Sequence, residues 1–347
     1  MGRSPGMNTP RIAWVCQWLD PSLPQKEQAA LNLRDTTVTA LGKMEARAAI
    51  EKLIGLVQTN GETLLAQISR TARLPPGQRA MRMASNVLPC YSHPAVRPLY
   101  DDPALRRVTE TSLRPAGEIA RQGGVRLSMH PGQYTVLATE RDSTRAAAVA
   151  DIEYHTEVMR LLGLTGGWHP QGAHINVHAG GRAAGIEAFR AALPLLSEDA
   201  RNLLTVENEE TAYGLEDLLP LADALPIVLD LHHHWVVTGE YLEPDDPRIV
   251  PVRESWRGTR PVIHISAPRP ELVAGQDPDV LPDRAALIAG GATARDLRAH
   301  AARLWNRPHA AWAARHLSWA DIEVEAKEKN LASADFAQVC FPVAVEA

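Results

Sequence analysis

The sequence predicts a single-domain (β/α)8 barrel of the TIM type. Eight short apolar strands alternate with helical segments between residue 11 and about residue 330. The strands are continuous apolar runs, as expected when both faces of a parallel sheet are buried. Six of them end in a histidine or a carboxylate, and barrel folds carry their chemistry at the C-terminal ends of their strands. The alternative is an open doubly wound sheet. It usually carries a glycine-rich turn after its first strand, but here that strand leads into CQWLDP.

The predicted strands can be placed in order along the chain. The first four are RIAWVC, AMRMAS, VRLSMH and HINVH, and the last four are LLTVEN, PIVLDL, PVIHIS and DIEVEA. Long helices are predicted at residues 43–69 and 143–162, where apolar residues recur at helical spacing. SLRPAGEIARQGG fits a helix ended by glycine, and IEAFRAALPLL and GLEDLLPLADAL are helical before strands five and six. Residues 277–283 are predicted to form a long loop before strand eight.

The predicted domain organisation is simple. We expect residues 1–10 to be a disordered leader, residues 11–332 to form the barrel, and residues 333–347 to be a peripheral C-terminal tail. No apolar run approaches the length of about 18 residues that a membrane span needs, and the N-terminus lacks the apolar segment of a secretory signal. The three cysteines are widely spaced and form no CxxC pair, which favours a reducing cytoplasm.

The net charge of −5 argues against a generic, strongly basic nucleic-acid binder. This charge omits any bound metal, and divalent cations at the mouth of the barrel would reverse the local electrostatics.

Residues of metal-ligand type stand at the ends of the predicted strands. They are His130, His178, Glu207, Asp230, His264 and Glu325, with His93 in a short loop after the second strand. Glu207, in TVENEE, can bridge two cations because each carboxylate oxygen can bind one. Asp230 begins DLHHHW, from which one or two histidines can reach the mouth. A set rich in histidine and carboxylate suits manganese, zinc or iron. The alternative for DLHHH is a helix N-cap followed by surface histidines, but the same pattern on other strands favours a metal site.

The loop after the third strand carries a second feature. In MHPGQY, Pro131 and Gly132 force a turn, so Gln133 and Tyr134 are expected to project from the rim. An amide and an aromatic ring there could enter a duplex and replace displaced bases. In the alternative, this is an ordinary loop in which Tyr134 packs on a neighbouring helix. Basic residues near the mouth are candidates for phosphate contacts, or are ordinary surface charges: Arg82, Arg126, Arg141 and Lys327.

Together these motifs resemble the ultraviolet damage endonuclease family, a relative of endonuclease IV. The segments that carry the resemblance are RMASNVLPCYSHP, RLSMHPGQYTVL, INVHAGG, LTVENEE, YGLEDLLPLADALPIVLDLHHH, VIHIS and IEVEAKEK, in family order over nearly the whole chain. The resemblance implies a hydrolase that nicks damaged double-stranded DNA immediately 5′ of cyclobutane pyrimidine dimers and 6-4 photoproducts, with abasic sites as further candidate substrates. A monomer that is cytoplasmic, and nucleoid-associated when bound to DNA, is expected.

The resemblance also implies a cluster of up to three divalent metal ions, typically manganese, with zinc, magnesium or iron as alternatives. The implied ligands are His93, His130, His178, Glu207, Asp230, His233, His264, His300 and Glu325. His300 rests on the resemblance alone. Glu207 is expected to bridge two ions, and Glu207, His233 and Glu325 are the expected catalytic residues.

The resemblance further assigns residues that contact DNA. Gln133 and Tyr134 fall on the pair that probes the damaged dinucleotide, and Lys327 is a candidate for a DNA contact. Trp14 could stack on a lesion or on an opposite base. Its position at the end of the first strand is equally compatible with a core residue of the barrel.

Two departures from the family bear on the third metal. Val262 stands where some members have a lysine that can be carbamylated, and Ala302 where some relatives have an acidic residue.

Two rival functions remain open from the sequence. One is a xylose-isomerase-like sugar isomerase or epimerase, which uses similar ligands on the same barrel. The other is a non-catalytic protein that binds lesions.

Overall fold

The computed structural model describes residues 9–273 and 277–342 of the 347-residue chain. The predicted leader lies outside the described residues except for its last two positions, and so do the last five residues of the predicted tail. None of the helices in the described ranges is long and apolar enough to cross a membrane.

Eight parallel strands form a closed barrel in chain order, as predicted. They are β1 (Ile12–Val15), β2 (Ala80–Met83), β3 (Arg126–Met129), β4 (His174–His178), β5 (Leu204–Glu207), β6 (Ile227–Asp230), β7 (Val262–Ile265) and β8 (Asp321–Val324). The barrel closes where β8 pairs with β1, with Ile322 opposite Ile12. All eight strands therefore end on one face, where their predicted ligand residues meet.

Helices surround the barrel. They are α1 (Gln25–Ala30), α2 (Val38–Gly42), α3 (Ala46–Ala72), α4 (Pro103–Gly123), α5 (Asp142–Leu161), α6 (Ile186–Ala192), α7 (Glu198–Leu203), α8 (Leu215–Leu218), α9 (Leu231–Thr238), α10 (Ile249–Ser255), α11 (Arg284–Ala289), α12 (Ala294–Leu297), α13 (Arg307–Arg315) and α14 (Lys329–Cys340). The two predicted long helices are confirmed as α3 and α5, each within a few residues of its predicted bounds.

The helix before the third strand begins earlier than the sequence indicated. Its start is fixed by Asp102, whose carboxylate accepts hydrogen bonds from the backbone N–H groups of Ala104 and Leu105 at 2.9 and 3.1 Å. Its end is the predicted glycine, since Gly124 adopts a φ of 63°, a conformation that glycine reaches without the steric cost of a Cβ.

Residues 277–283 form the loop that the sequence predicts, and helices follow it before the eighth strand. An irregular stretch covers the described residues from 277 onward and ends at Asp283, which caps α11 by accepting from the backbone N–H of Ala286 at 3.1 Å. The helices α12 and α13 then lead into β8.

The C-terminal boundary predicted at residue 332 falls inside α14. This helix continues to Cys340, and Phe336 and Ala337 on it are buried in the large apolar cluster that also contains Ile12 of β1. These residues contribute apolar surface to the barrel wall, so this helix is part of the domain rather than a peripheral tail.

The two faces of the barrel wall differ in chemistry. Apolar side chains on the outer face, such as Met81, Leu127 and Ile322, join two large clusters with the surrounding helices. On the inner face Arg126 of β3 reaches Asp321 of β8 at 2.9 Å across the barrel. The interior therefore contains a column of buried polar groups, where TIM barrels usually pack branched apolar side chains.

Candidate metal centre and its exposed rim

Glu207 lies at the centre of the C-terminal mouth. Its oxygens face several imidazoles: Oε2 is 3.0 Å from Nε2 of His130, and Oε1 is 3.2 Å from Nδ1 of His264 and 3.4 Å from Nδ1 of His233. The side-chain amide of Asn176, on the neighbouring strand, donates a hydrogen bond to Oε2. The residue is only 1% exposed. Each oxygen thus has its own set of partners, as a carboxylate that bridges two cations requires.

Three groups of side chains at this mouth have the composition and spacing of metal sites. In each group one ligand atom per residue lies within 4.8 Å of the others. The groups are His130, His178 and Glu207; Glu207, Asp230 and His233; and Asp230, His264 and Glu325. Because Glu207 belongs to the first two groups and Asp230 to the last two, the groups form one continuous cluster.

Unpaired polar atoms show that a cation fits this cluster. Nδ1 of His178, Oδ2 of Asp230 and Nδ1 of His264 are buried and have no hydrogen-bond partner. Such orphaned atoms are rare in folded proteins because desolvation without a partner is costly. Divalent cations would satisfy them with the nitrogen and oxygen ligands that zinc and manganese accept.

Backbone carbonyls orient two of the histidines. Nδ1 of His130 lies 2.8 Å from the carbonyl oxygen of Pro131, and Nδ1 of His233 lies 3.0 Å from that of Asn208. A carbonyl can only accept, so each Nδ1 carries a proton. Metal-bound histidines are commonly held in this way. Nε2 of His130 then faces Oε2 of Glu207 at 3.0 Å, whereas His233 presents Nδ1 to Glu207 and Asp230 and places Nε2 3.5 Å from Oε2 of Glu210.

The charge states of Glu207 and His178 suit cation binding, whereas the carboxylates around His233 and His264 outweigh burial and raise the pKa of both imidazoles well above the usual range, so these two would release a proton to a cation. Burial opposes charge on Glu207, but His264 and hydrogen bonds from His130 and His233 outweigh it and hold the pKa of this carboxyl well below its usual range. Burial raises the pKa of Asp230 to about 6 and lowers the pKa of His178 to about 4. At neutral pH Glu207 is therefore ionised and His178 is neutral, which are the forms that bind metal.

Two of the predicted ligands stand apart from the three groups. His93 is exposed, and its Nδ1 accepts a hydrogen bond from the backbone N–H of Ala95 at 3.2 Å. His300 lies at the edge of the cluster, with Nε2 4.0 Å from Oε2 of Glu325.

The loop after β3 forms an exposed rim beside His130. Gln133 is exposed and Tyr134 is 84% exposed, so the alternative in which Tyr134 packs on a helix does not describe this structure. The loop is anchored at its base, where the hydroxyl of Ser85 donates to the carbonyl oxygen of His130 at 2.9 Å. An amide and a phenol ring thus project at the edge of the metal cluster.

Trp14 does not reach this rim. It is 1% exposed, lies in the apolar cluster outside the barrel wall, and donates from its indole N–H to the hydroxyl of Thr71 in α3 at 3.1 Å. Its side chain points away from the barrel interior, which fits the alternative of a core residue and removes it from contact with DNA in this conformation.

The basic residues divide into two classes. Arg82 is buried and pairs with Glu325, and Arg126 stands at the N-terminal end of β3, so neither presents a free charge at the mouth. Neither the candidate phosphate contact nor the alternative of a surface charge describes them, because their position on the inner face buries them among carboxylates. Arg141 and Lys327 are exposed.

Sequence reasoning missed two buried residues of the site. Asn176 and Glu323 each lie two positions before a predicted ligand, His178 and Glu325, and so share its inward face. Side chains two apart on a strand point to the same side. That period was the available signal, and it was hidden by the apolar residues between them.

Comparisons with known proteins identify relatives of this chain. A model of the family UV-endonuclease UvdE matches residues 11–339. A UV-damage endonuclease of Neurospora crassa is 30% identical over 271 residues, 74% of this chain and 37% of that protein. One of Schizosaccharomyces pombe is 32% identical over 189 residues, 52% of this chain and 30% of that protein. A UV DNA damage endonuclease of Bacillus cereus (strain B4264) is 25% identical over 308 residues, 85% of both chains. The match thus spans about a third of each fungal protein and most of the bacterial one.

Solved structures show the same fold. The crystal structure of SacUVDE superposes with a TM-score of 0.72 at 18% identity, covering 95% of this chain and 97% of that one. Endonuclease IV from Thermus thermophilus superposes with a TM-score of 0.51 at 16% identity, over the same shares of the two chains. With the family model matching from the first strand of the barrel into its last helix, the chain belongs to the UV-endonuclease UvdE family.

Proposed function

We propose that this chain is a metal-dependent DNA repair endonuclease that nicks the phosphodiester backbone immediately 5′ of UV photoproducts. The observation that supports it most is the meeting of a three-group ligand cluster with an exposed Gln133–Tyr134 rim at one mouth. Cyclobutane dimers and 6-4 photoproducts are the proposed lesions, with abasic sites as further candidates. The products would carry 3′-hydroxyl and 5′-phosphate ends.

The proposed centre holds up to three divalent ions, with manganese as the first candidate and zinc, magnesium and iron as alternatives. Bound cations of this kind acidify water and polarise a phosphodiester. Glu207 would bridge two ions, and His233 and Glu325 would complete the catalytic set. Although Val262 is packed against Val228 and Trp256 and offers no ligand, the group of Asp230, His264 and Glu325 remains available for a third ion. His93 and His300 are proposed as outer ligands.

The rim would supply recognition. Gln133 and Tyr134 would enter the duplex beside the lesion, where damage has already lowered the cost of unstacking. Recognition would then depend on the deformability of DNA rather than on its base sequence. Exposed Lys327 and Arg141 would contact the phosphate backbone.

We also propose a monomer that acts in the cytoplasm at the nucleoid. The three free cysteines support a reducing compartment.

One experiment separates this proposal from its rivals. A duplex carrying one defined photoproduct, end-labelled on the damaged strand, is incubated with the protein and manganese, and an undamaged duplex of the same sequence is the control. We expect one labelled fragment that ends immediately 5′ of the lesion and none from the control. Binding without a nick would instead favour a non-catalytic lesion-binding protein. If the protein neither binds nor nicks the damaged duplex, both the endonuclease and the lesion-binding function are contradicted, and sugar isomerisation becomes the function to test.

A further inference from the structure

Glu323 is a buried carboxylate directly beneath the metal cluster. It lies on β8, two residues before Glu325, and its Cα is paired in the parallel register with that of His264 on β7. It is 3% exposed. Its position on the inner face places it one layer below the three ligand groups, so it belongs to none of them.

Neighbouring strands hold this carboxylate in place. Its Oε1 accepts a hydrogen bond from the hydroxyl of Ser128 on β3 and lies 3.8 Å from Nε2 of His174 on β4. Its Oε2 lies 3.3 Å from Nε2 of His264 and 3.6 Å from Nη1 of Arg82. Ser128 therefore restrains the carboxylate through Oε1, while Oε2 of Glu323 and Nε2 of His264, 3.3 Å apart, are both buried without a hydrogen-bond partner and are left to pair with each other.

The imidazole of His264 stands between two layers of carboxylates. Nε2 faces down to Glu323, while Nδ1 faces up, 3.2 Å from Oε1 of Glu207 and 3.3 Å from Oε1 of Glu325. A neutral imidazole has one N–H and one lone pair. If the N–H lies on Nε2, toward Glu323, then the lone pair lies on Nδ1, where the ligand oxygens converge.

We propose that Glu323 is a positioning residue of the metal centre, which accepts the Nε2–H of His264 and so fixes both the ring and the tautomer that presents Nδ1 to a cation. The role rests on the metal binding in the proposed function but not on the substrate. A carboxylate that accepts from the second nitrogen of a metal-bound histidine raises its basicity and sets its orientation. Removal of such partners typically costs about 10- to 100-fold in metal affinity.

The competing role for Glu323 is a counter-ion of Arg82. Arg82 already pairs with Glu325, so it keeps a partner when Glu323 is neutralised. A counter-ion role predicts loss of stability without a specific effect on metal binding, whereas the positioning role predicts weaker metal binding in a protein that still folds. The two roles are therefore separated by measuring metal affinity and stability on the same variants.

The test is titration of the full chain, stripped of metal, with Mn²⁺, in which free Mn²⁺ is followed by electron paramagnetic resonance. Glu323→Gln keeps the shape of the side chain and is expected to weaken at least one Mn²⁺ site by about 10- to 100-fold and to alter the signal of bound Mn²⁺. The matched control is Asp321→Asn, on the same strand but paired with Arg126 and Arg260 at 2.9 and 2.8 Å, away from the ligands. It should lower the thermal stability of the metal-free protein and leave Mn²⁺ affinity within about twofold.

Two further variants keep the test decisive. Glu323→Asp retains the charge and should recover part of the lost affinity. Ser128→Ala retains the carboxylate but removes the hydroxyl that holds it, and should weaken Mn²⁺ binding by a smaller factor even if Glu323→Gln does not fold. Unchanged Mn²⁺ affinity and stoichiometry in Glu323→Gln or, should that variant not fold, in Ser128→Ala would overturn the positioning role. An equal loss in Asp321→Asn would also overturn it. A wild-type chain that binds no Mn²⁺ would instead overturn the proposed metal-dependent function, and the positioning role with it.

Discussion

Two buried aspartates at opposite ends of the barrel have contrasting surroundings. Asp321, at the N-terminal end, accepts from the backbone N–H of Arg11 at 2.9 Å, from Nε of Arg260 at 2.8 Å and from Nη1 of Arg126 at 2.9 Å. Asp230, at the C-terminal end, accepts from the backbone N–H of His233 at 2.6 Å through Oδ1, while its Oδ2 has no hydrogen-bond partner. The protein itself completes the first site and leaves the second one incomplete.

The type of side chain around each aspartate distinguishes the two sites better than burial does, because Asp321 and Asp230 are both buried. Arginine stays charged and neutralises a carboxylate permanently, so Asp321, at the N-terminal end, is fixed as part of the scaffold. Histidine can be neutral and can share a cation with a carboxylate. An acidic residue surrounded by imidazoles and left with an unpaired oxygen is therefore a ligand candidate, whereas one surrounded by guanidinium groups is a structural ion pair.

The largest effect is expected from removing Glu207, the central candidate ligand at the C-terminal end of the barrel. Glu207→Gln should reduce nicking of a photoproduct duplex by about 10²- to 10³-fold, the scale on which electrostatic catalytic groups act, while circular dichroism shows a folded protein. Glu209→Gln, in the same segment but outside the three ligand groups, should retain activity. Full nicking by Glu207→Gln with saturating manganese would remove its bridging role.

A change at the N-terminal end of the barrel should instead lower stability and leave metal binding unchanged. Arg126→Met leaves Asp321 with fewer partners in a buried site, and breaking such a pair costs about 3 to 5 kcal/mol of unfolding free energy. Urea unfolding of the metal-free protein measures this loss. Mn²⁺ affinity of the folded variant should match that of the wild type. A variant that loses metal before it loses stability would show that the two ends are not independent.

His309 belongs to neither aspartate site and tests the effect of burial alone. Burial lowers the pKa of His309 in α13 to about 4. Because the unfolded chain takes up a proton near its ordinary value of about 6.5 and the folded chain does not, stability should fall as the pH drops from about 6.5 to about 4. The contribution is about 1.4 kcal/mol per pH unit for this residue.

His309→Leu tests this contribution. In the presence of a chelator, its unfolding free energy should depend less steeply on pH between 4 and 6.5 than that of the wild type. An unchanged slope would mean that His309 titrates normally in the folded protein.

The smallest expected effect belongs to the rim. Tyr134→Ala should reduce the preference for damaged over intact duplex by about tenfold, since one base–aromatic stacking contact contributes about 1 to 3 kcal/mol. Metal content should not change. Leu195→Ala, which removes another exposed apolar side chain, is the control. Equal binding preference in wild type and Tyr134→Ala would exclude the probe role while leaving the metal centre untouched.

The sequence predicted the strand ends better than the strand interiors. His130, Glu207 and Asp230 were predicted because a polar residue that ends an apolar run is conspicuous. Glu323 was missed because it lies inside its strand, between Ile322 and Val324, and not at the end. Trp14 shows the complementary difficulty, since a residue on a strand faces either side of a barrel and the direction depends on a register that only pairing with neighbours decides.

Loops were the least predictable part of the site. His93 follows β2 as expected, but the turns between them direct its side chain into solvent. By contrast, the exposed positions of Gln133 and Tyr134 were predictable from Pro131 and Gly132 alone, since these residues limit the backbone locally. Prediction of a loop residue from sequence therefore succeeds where the backbone is restricted by its own residues and not by distant contacts.

The acidic inner face of β8 has a consequence for how the barrel closes. Asp321 and Glu323 alternate with Ile322 and Val324, which belong to the outer apolar cluster. A slip of one residue against β1 or β7 would turn the carboxylates toward the apolar helices and the aliphatic side chains toward the arginines inside. Every residue of the strand would then be on the wrong side at once. The alternation of charged and apolar side chains thus fixes the register of β8, and only that register places Glu325 at the mouth of the barrel.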